Sequence, residues 1–439
     1  MNEYWELTIR FFSLADANVR WVAAGSILLG AAAGSLGAFA YLQRRSLLGD
    51  TLSHAALPGV GAAFLLAGHK SLPVLLVGAA LSGWAGALAV NAITRLSKIK
   101  QDAALGIVLT VFFGLGVVLL THIQKSGAGT QAGLDKFLFG QAAALSGGDV
   151  ALLAAVAAVL LFMLTAGFRS FKIISFDPAF AASIGMPTGL LQFLLTTMLV
   201  VAVTIGLQAV GVVLMAALLI TPAAAARQWT DRLALMVVLA GIFGAAAGLL
   251  GAWVSFLAPR LPTGPWVVVV ISLIFLVSIL FAPERGVLSR LRRHRNGREK
   301  IVREHILKAL FKSGESTQDW SGAHAVRDLE PVWSFSPREL NSGLRHLERR
   351  ALIQRHNGHY RLTESGIAEG ARIIRRHRLW ELYLTTYLDL AGDHVHRDAD
   401  EFEHVMTPEM EAQLDELLNR PEYDPHHQTI PNIGREGVS

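Results

Sequence analysis

Pairs of histidine and carboxylate residues four positions apart occur in two distant parts of the chain. One pair is Asp50 and His54 in GDTLSHAALPGV, and the other is His377 and Glu381 in RRHRLWELYL. Because residues four apart share a helix face, each pair could hold a divalent cation between an imidazole and a carboxylate. The alternative for the first pair is structural: Asp50 caps a helix and His54 hydrogen-bonds a nearby carbonyl.

A third cluster occurs in HVHRDADEFEHV. Its four ligand-type residues are spaced i, i+4, i+7 and i+8: His396, Asp400, Glu403 and His404. This spacing forms one stripe on a helix face. The chain contains no cysteine, so a metal site must use His, Asp, Glu or Met. A charge run is also typical of a solvated helix, and that alternative stays open.

The helix that carries Asp50 and His54 is predicted to cross a membrane. Of the 439 residues, 52% are hydrophobic and only 17% are charged. Apolar stretches of roughly 20 residues are long enough to span a bilayer. Nine such stretches begin near Trp21, Thr51, Leu72, Gln101, Asp149, Pro187, Ile205, Leu233 and Gly264. The seventh is short, so eight spans is the alternative. The fold class of this half is an all-α polytopic membrane domain.

Lysine and arginine residues gather in alternate loops between these stretches. They are Arg44, Arg45, Arg95, Lys98, Lys100, Arg169, Lys172, Arg227 and Arg232, followed by a basic run after Pro283. Loops rich in these residues are retained in the cytoplasm. We therefore expect a multi-pass protein of the bacterial cell membrane, with its N-terminus outside and its C-terminal half inside. The segment MNEYWELTIRFF lacks the features of a cleaved signal peptide.

Four segments resemble the ABC-3 permeases, which are membrane subunits of manganese, zinc and iron importers. They are GDTLSHAALPGV, KIKQDAALGIVL, LDKFLFGQAAAL and VGVVLMAALLITPAAAAR, in a region spanning residues 1–283. The resemblance implies a permease that pairs with a second copy or a paralogue. It also implies a separate ATPase, an extracytoplasmic metal-binding protein, and a metal path that includes Asp50 and His54.

The segment SFDPAFAASIGMP resembles the coupling helix of ABC importers, which implies ATPase coupling through Asp177 and Gly185. Asp177 followed by Pro178 is also an ordinary helix start. The chain contains no GxxxxGK[ST] pattern, whose amides cradle nucleotide phosphates. We therefore expect no bound nucleotide and no ATPase activity in this chain.

The second half is predicted to be a soluble α+β unit. Residues 284–299 are interpreted as a polybasic linker that lies against anionic headgroups. Residues 300–365 are predicted to form a winged helix, with helices in REHILKALFKSG, VRDLEPVW and SPRELNSGLRHLERRALI and a hairpin wing around His356–Gly358. Ser336 and Pro337 open the third helix as N-cap and first helical residue. Residues 366–439 complete this half.

The segments RRHRLWELYL, VHRDADEFEHVMTPEMEAQLDELL and DPHHQTIP resemble the metal-binding and dimerisation region of the DtxR/MntR metal-dependent repressors. The resemblance implies six metal ligands: His377, Glu381, His396, Asp400, Glu403 and His404. His305 falls near a further ligand position of the first helix. Asp400 lies where iron-responsive members have cysteine and manganese-responsive members have a carboxylate. A hard oxygen ligand favours manganese.

These patterns favour a divalent-metal importer subunit, for manganese before iron or zinc, with a cytoplasmic metal-sensing domain. A second hypothesis is a membrane-tethered, metal-dependent transcription regulator. Its third winged-helix segment offers Arg338, Asn341 and Arg345 as DNA contacts. A third hypothesis makes the C-terminal region a metal-free dimerisation module.

Overall fold

The protein is described by a computed structural model that covers residues 2–69, 71–125, 140, 145–257, 262–320, 322–325, 335–388 and 406–432. The chain divides into two compact units, Met1–Arg290 and Leu291–Ser439. The division lies inside the predicted polybasic linker. Each unit is described separately below.

Within its described residues, the first unit contains only helices. In chain order they are α1 (Asn2–Phe12), α2 (Ala17–Leu42), α3 (Leu48–Ala67), α4 (Leu72–Leu96), α5 (Gln101–Lys125), α6 (Gly147–Ala166), α7 (Phe168–Phe176), α8 (Pro178–Ser183), α9 (Thr188–Ala209), α10 (Val212–Trp229), α11 (Leu233–Leu257) and α12 (Thr263–Phe281). Seven are long and apolar enough to cross a membrane, namely α2, α4, α5, α6, α9, α11 and α12.

Two further helices, α3 and α10, match the second and seventh predicted spans. Polar residues lower the hydropathy of α3, and α10 has only 18 residues. The predicted start of the seventh span at Ile205 is wrong, because Ile205 still belongs to α9. Gly211 separates the two helices with a φ of 89°, a conformation that favours glycine and interrupts the helix. The prediction of eight to nine spans agrees broadly with this arrangement.

Helix α3 is held by very close contacts with its neighbours. A Cβ atom added at Gly59 would lie 2.0 Å from the carbonyl oxygen of Gly78 in α4. One added at Gly116 of α5 would lie 2.6 Å from the Leu57 side chain. Small residues at such crossings let membrane helices approach closely. These contacts hold α3, whose first turns carry Asp50 and His54, against α4 and α5.

The second unit combines helices with a small sheet. Its elements are α13 (Val287–Thr317), which begins in the first unit, β1 (His324–Ala325), α14 (Pro337–Arg349), β2 (Ile353–His356), β3 (His359–Leu362), α15 (Glu364–Tyr387) and α16 (Pro408–Leu417). The antiparallel sheet has the order β1-β3-β2. The predicted helix in VRDLEPVW lies outside the described residues. Val287 and the linker residues that follow it are helical.

The wing forms where the sequence predicts it. His356 pairs with His359 across the hairpin. Asn357 and Gly358 have φ values of 47° and 82°, as a two-residue type I′ turn requires. Ser336 caps α14 and Pro337 follows it, which also agrees with the prediction. The core beneath these elements contains apolar residues of α13, α14, β2 and α15, including Ile306, Leu310, Leu344, Ile353 and Ile373.

Candidate metal sites

The Asp50–His54 pair lies in the first turns of α3. His54 Nε2 is 3.3 Å from Asp50 Oδ1, and the two side chains are 13% and 33% exposed. The other ring nitrogen, Nδ1, is buried and has no hydrogen-bond partner among the described residues. The edge of the ring faces Phe113 of α5, with centroids 4.8 Å apart. The pair therefore presents a carboxylate and an imidazole whose Nδ1 atom makes no hydrogen bond among the described residues.

The structural alternative for this pair does not match the geometry. Leu47 is the N-cap of α3, and it makes no side-chain capping bond. Other polar groups on this helix are satisfied: Thr51 donates to the Leu47 carbonyl at 2.8 Å, and Ser82 of α4 donates to the Ala55 carbonyl at 2.6 Å. His54 Nδ1 is thus an exception on a helix whose neighbouring hydroxyls are hydrogen-bonded.

The His377–Glu381 pair on α15 has a different environment. His377 Nε2 is 2.8 Å from Glu381 Oε1. His377 Nδ1 is 2.8 Å from the Nζ atom of Lys308 on α13. Lys308, His377 and Glu381 are all fully buried, at 1%, 2% and 1% exposure. A metal bound at either ring nitrogen would have to displace one of these contacts. In the described arrangement both ring nitrogens of His377 are therefore engaged.

The other predicted ligands are distributed differently. His305 is buried one turn before Lys308 on α13, and its ring lies 5.7 Å from that of Phe335. The remaining residues of the predicted set lie outside the described residues: His396, Asp400, Glu403 and His404. Among the residues that the structure describes, no group of three or more potential ligands is close enough to hold a metal.

Among the described residues, three buried cations were missed from the sequence: Lys308, Arg375 and Arg378. Besides Lys308, Arg378 is buried at 1% exposure and donates to Glu315 at 2.6 and 2.9 Å. It also donates to the Thr429 carbonyl at 2.6 Å, and its Nε lies 3.4 Å from Asp424 Oδ2. The detectable signal for Lys308 was its place in HILKALF, three residues after His305 and hence on the same helix face.

The predicted coupling segment contains the end of α7 and the short helix α8, outside the apolar spans. Asp177 Oδ1 accepts a hydrogen bond from the Phe180 amide at 2.8 Å and caps α8. Gly185 has a φ of 78°, where the chain turns toward α9. Large apolar side chains are exposed here, including Phe176, Phe180 and Ile184. The segment therefore presents exposed apolar side chains beside the capped start of α8.

Helix α14 presents the predicted DNA contacts to solvent: Arg338, Asn341 and Arg345 are exposed. Its N-terminus is braced because Glu339 accepts from the Ser336 amide and forms an ion pair with Arg298 of α13. Hydrogen bonds from the Ser336 amide and hydroxyl, then from Arg298, lower the pKa of Glu339 to about 2. A cavity of about 250 Å³ between α13 and α14 is lined by four arginines.

Comparison with known proteins gives matches for both units. Residues 15–282 match the ABC 3 transport family, and residues 363–432 match the family of the iron dependent repressor, metal binding and dimerisation domain. The second match covers α16 and most of α15, including His377 and Glu381. It also spans the predicted ligands that lie outside the described residues.

Individual relatives extend this result. The chain is 43% identical over 399 residues to the manganese transport system membrane protein MntC of Bacillus subtilis, covering 91% of each chain. It is 48% identical over 287 residues to the zinc transport system membrane protein TroC of Treponema pallidum, covering 65% of this chain and 96% of that protein.

A solved structure agrees with these matches. PsaBC from Streptococcus pneumoniae in complex with Fab superposes with a TM-score of 0.57 at 32% identity, over 64% of this chain and 99% of that one. The match of residues 15–282 covers more than half of the 439 residues. This chain therefore belongs to the ABC 3 transport family and carries a C-terminal iron-dependent-repressor domain.

Proposed function

We propose that this membrane permease subunit imports a divalent transition metal, manganese before iron or zinc, along a path that includes Asp50 and His54. The observation that carries the proposal is the buried Nδ1 atom of His54, which lacks a hydrogen-bond partner among the described residues and lies beside a carboxylate. Ionisable groups within a membrane domain are costly and typically serve transport. The names of the related manganese and zinc transport proteins support the same cargo class.

The chemistry of the pair suits a passing cation better than a permanent one. Carboxylate oxygen and imidazole nitrogen bind Mn(II), and neither is as soft as a thiolate. Asp50 is one-third exposed, so a cation can be exchanged with solvent. Two ligands from one helix also leave most coordination positions to water or to other groups. Such incomplete coordination favours release as well as binding.

A transport assay tests this proposal. Cells that lack their own manganese import would express the chain with its ATPase and binding protein, and the initial rate of radioactive Mn(II) uptake would be measured. Asp50→Asn should lower uptake by about tenfold or more, since loss of ligand-supporting groups alone costs 10 to 100-fold in metal affinity. The matched control is Asp149→Asn, because Asp149 belongs to the capping box of α6. Equal uptake in both variants would refute the role of Asp50.

The partners of the permease follow from the same proposal. An ATPase subunit docks on the exposed apolar residues of α7 and α8, an extracytoplasmic metal-binding protein delivers the cargo, and a second permease completes the dimer. The basic residues of the loops support a cytoplasmic position for α7 and α8. Phe180→Asp should abolish co-purification of the ATPase. Leu96→Asp, at a highly exposed apolar position at the end of α4, is the control and should leave the complex intact.

The C-terminal unit is proposed to sense cytoplasmic metal and to restrain uptake or assist assembly. Its predicted ligands are His396, Asp400, Glu403 and His404, and the repressor-domain match supports a metal-binding role for this region. In the full chain, Asp400→Ala should remove a bound Mn(II) ion and relieve the inhibition of uptake by preloaded metal. Unchanged binding and unchanged inhibition would reduce the unit to a dimerisation module.

A second candidate function is DNA binding by α14. It is favoured by the shared exposure of Arg338, Asn341 and Arg345. Against it, Glu339 occupies the first turn of the same helix. Binding of the detergent-solubilised chain to its own promoter DNA should fall steeply with salt if phosphates are contacted, because counterions are released. Binding that is absent at low salt would exclude this function.

A further inference from the structure

A lysine side chain lies in the second unit where a metal ion would be expected. Lys308 extends from α13, and His377 and Glu381 lie one turn apart on α15. Nζ of Lys308 is 2.8 Å from His377 Nδ1, and His377 Nε2 is 2.8 Å from Glu381 Oε1. All three side chains are buried, with no more than 3% of their surface exposed. Lys308 is among the largest fully buried residues.

The protons in this row can be assigned from the chemistry of the groups. An ammonium has only donors, so His377 Nδ1 accepts from Lys308. A carboxylate has only acceptors, so His377 Nε2 carries a hydrogen and donates to Glu381. His377 is therefore the neutral tautomer protonated at Nε2. Both ring nitrogens, the two atoms through which a histidine binds metal, are engaged.

The charges lead to the same conclusion. The ammonium of Lys308 and the carboxylate of Glu381 compensate each other across a neutral imidazole. A buried charge requires such compensation, since an uncompensated one costs several kcal/mol. A metal ion bound by His377 would have to displace the ammonium of Lys308 or the carboxylate of Glu381 from the imidazole.

We propose that the ammonium of Lys308 is a built-in cation that replaces a metal ion at His377 and Glu381. His377 and Glu381 are consequently positioning residues that hold α13 against α15, and metal bound by this unit uses other residues. Arg378, the neighbour of His377, adds a parallel link because it donates to Glu315 of α13. These side-chain contacts therefore join α13 and α15 without a metal ion.

The test counts Mn(II) ions bound per chain in the purified full-length protein, by equilibrium dialysis and metal analysis. His377→Gln should bind as many ions as the unaltered chain. Lys308→Glu supplies a second carboxylate in place of the ammonium and should bind one ion more. The double variant Lys308→Glu with His377→Gln should lose that additional ion. The permease half is the same in every sample, so its own sites cancel from the comparison.

Two outcomes would overturn the proposal. One is the loss of a bound ion in His377→Gln alone, which would make His377 a ligand in the natural chain. The other is a folded Lys308→Glu variant with no additional ion. If Lys308→Glu does not fold, the His377→Gln count still decides. These readouts do not use transport, so they stand apart from the outcome of the proposed import function.

A stability measurement gives an independent check. Lys308→Met keeps the length of the side chain but removes the ammonium that contacts His377. Its unfolding temperature in the presence of a chelator should fall by about 5 °C or more, because a buried hydrogen bond from a charged group is lost. Arg372→Met, which breaks only an exposed ion pair on α15, is the control. A chelator that lowers the melting temperature of the natural chain as much as Lys308→Met does would instead indicate a metal at this position.

Discussion

The two units contain the same local pattern, a histidine and a carboxylate four residues apart on one helix face, in opposite states. In α3, His54 contacts Asp50 and its second nitrogen has no partner among the described residues. In α15, His377 contacts Glu381 and its second nitrogen contacts Lys308. The two pairs therefore differ in the third group that another helix brings to the imidazole, which is a phenyl ring in α3 and an ammonium in α15.

The nature of that third group follows from the surroundings. The neighbour of His54 is the ring of Phe113, which offers no hydrogen-bond donor comparable to an ammonium. A lysine at that point in an apolar membrane domain would be expensive. In the second unit, the buried ammonium of Lys308 contacts His377, which in turn contacts Glu381. On our proposals, the membrane unit binds a transported cation at His54, and the second unit has its own cation at His377.

The largest effect is expected when an ammonium is introduced beside His54, so that the two pairs no longer differ. Phe113→Lys would bring an ammonium toward His54 Nδ1, in imitation of Lys308. We expect Mn(II) uptake to fall by about tenfold or more, because a like charge would occupy the cation position. Phe113→Met, with equal expression, is the control and should retain uptake. Normal transport by a correctly inserted Phe113→Lys protein would contradict the account.

The next largest effect is expected on the stability of the second unit, at the buried charges of α15. Arg378→Met removes a buried cation from α15 and leaves the buried carboxylate of Asp424 without its ion-pair partner. Loss of one member of a buried ion pair costs about 3–5 kcal/mol of unfolding free energy. Denaturant unfolding of the C-terminal unit within the full chain would measure it. Arg372→Met on the same helix breaks only an exposed pair and should cost about 1 kcal/mol or less.

A smaller effect is expected where the polar contacts of this unit face solvent. Ser336→Ala removes the side-chain cap of α14 and should lower the unfolding free energy by about 1 kcal/mol. The comparison variant is Ser342→Ala, at an exposed position within the same helix. If Ser336→Ala proved as costly as Arg378→Met, buried charge would not be the dominant stabilising feature of the second unit.

The smallest expected effect is a pH dependence of the stability that Glu339 contributes. The pKa of Glu339 is lowered from 4.5 to about 2 by the Ser336 hydrogen bonds and Arg298. A lowered pKa means that the stabilising contribution is complete above about pH 4.5 and is lost as the pH falls toward 2. The difference in unfolding midpoint between the natural chain and Glu339→Gln should therefore shrink between pH 5 and pH 2. A constant difference would show that the ionised carboxylate adds nothing.

Local features of the fold could be predicted from the sequence because their causes are local. Ser336 with Pro337 predicts the start of α14, and Asn357 with Gly358 supports the hairpin wing. The seventh span was misplaced because an apolar run hides the break at Gly211, whose positive φ is not visible in hydropathy. Helix ends inside apolar segments depend on packing as well as composition.

The two candidate pairs could be found from spacing but could not be told apart by it. Spacing reports which residues share a helix face, and both pairs satisfy it equally. What separates them is a contact across 69 positions of the sequence, from Lys308 to His377. A contact of that kind depends on the tertiary fold. Lys308 was therefore missed, although its position on the buried face of α13 marked it as unusual.

The most direct test of this account compares His54→Gln with His377→Gln in the full chain, with its partners, by the initial rate of Mn(II) uptake. Each change removes the imidazole from a histidine and carboxylate pair of the same spacing. We predict that His54→Gln reduces uptake to background while His377→Gln retains the rate of the natural chain. Equal rates in the two variants, or loss of uptake only in His377→Gln, would contradict the claim that α3 carries the cation and α15 does not.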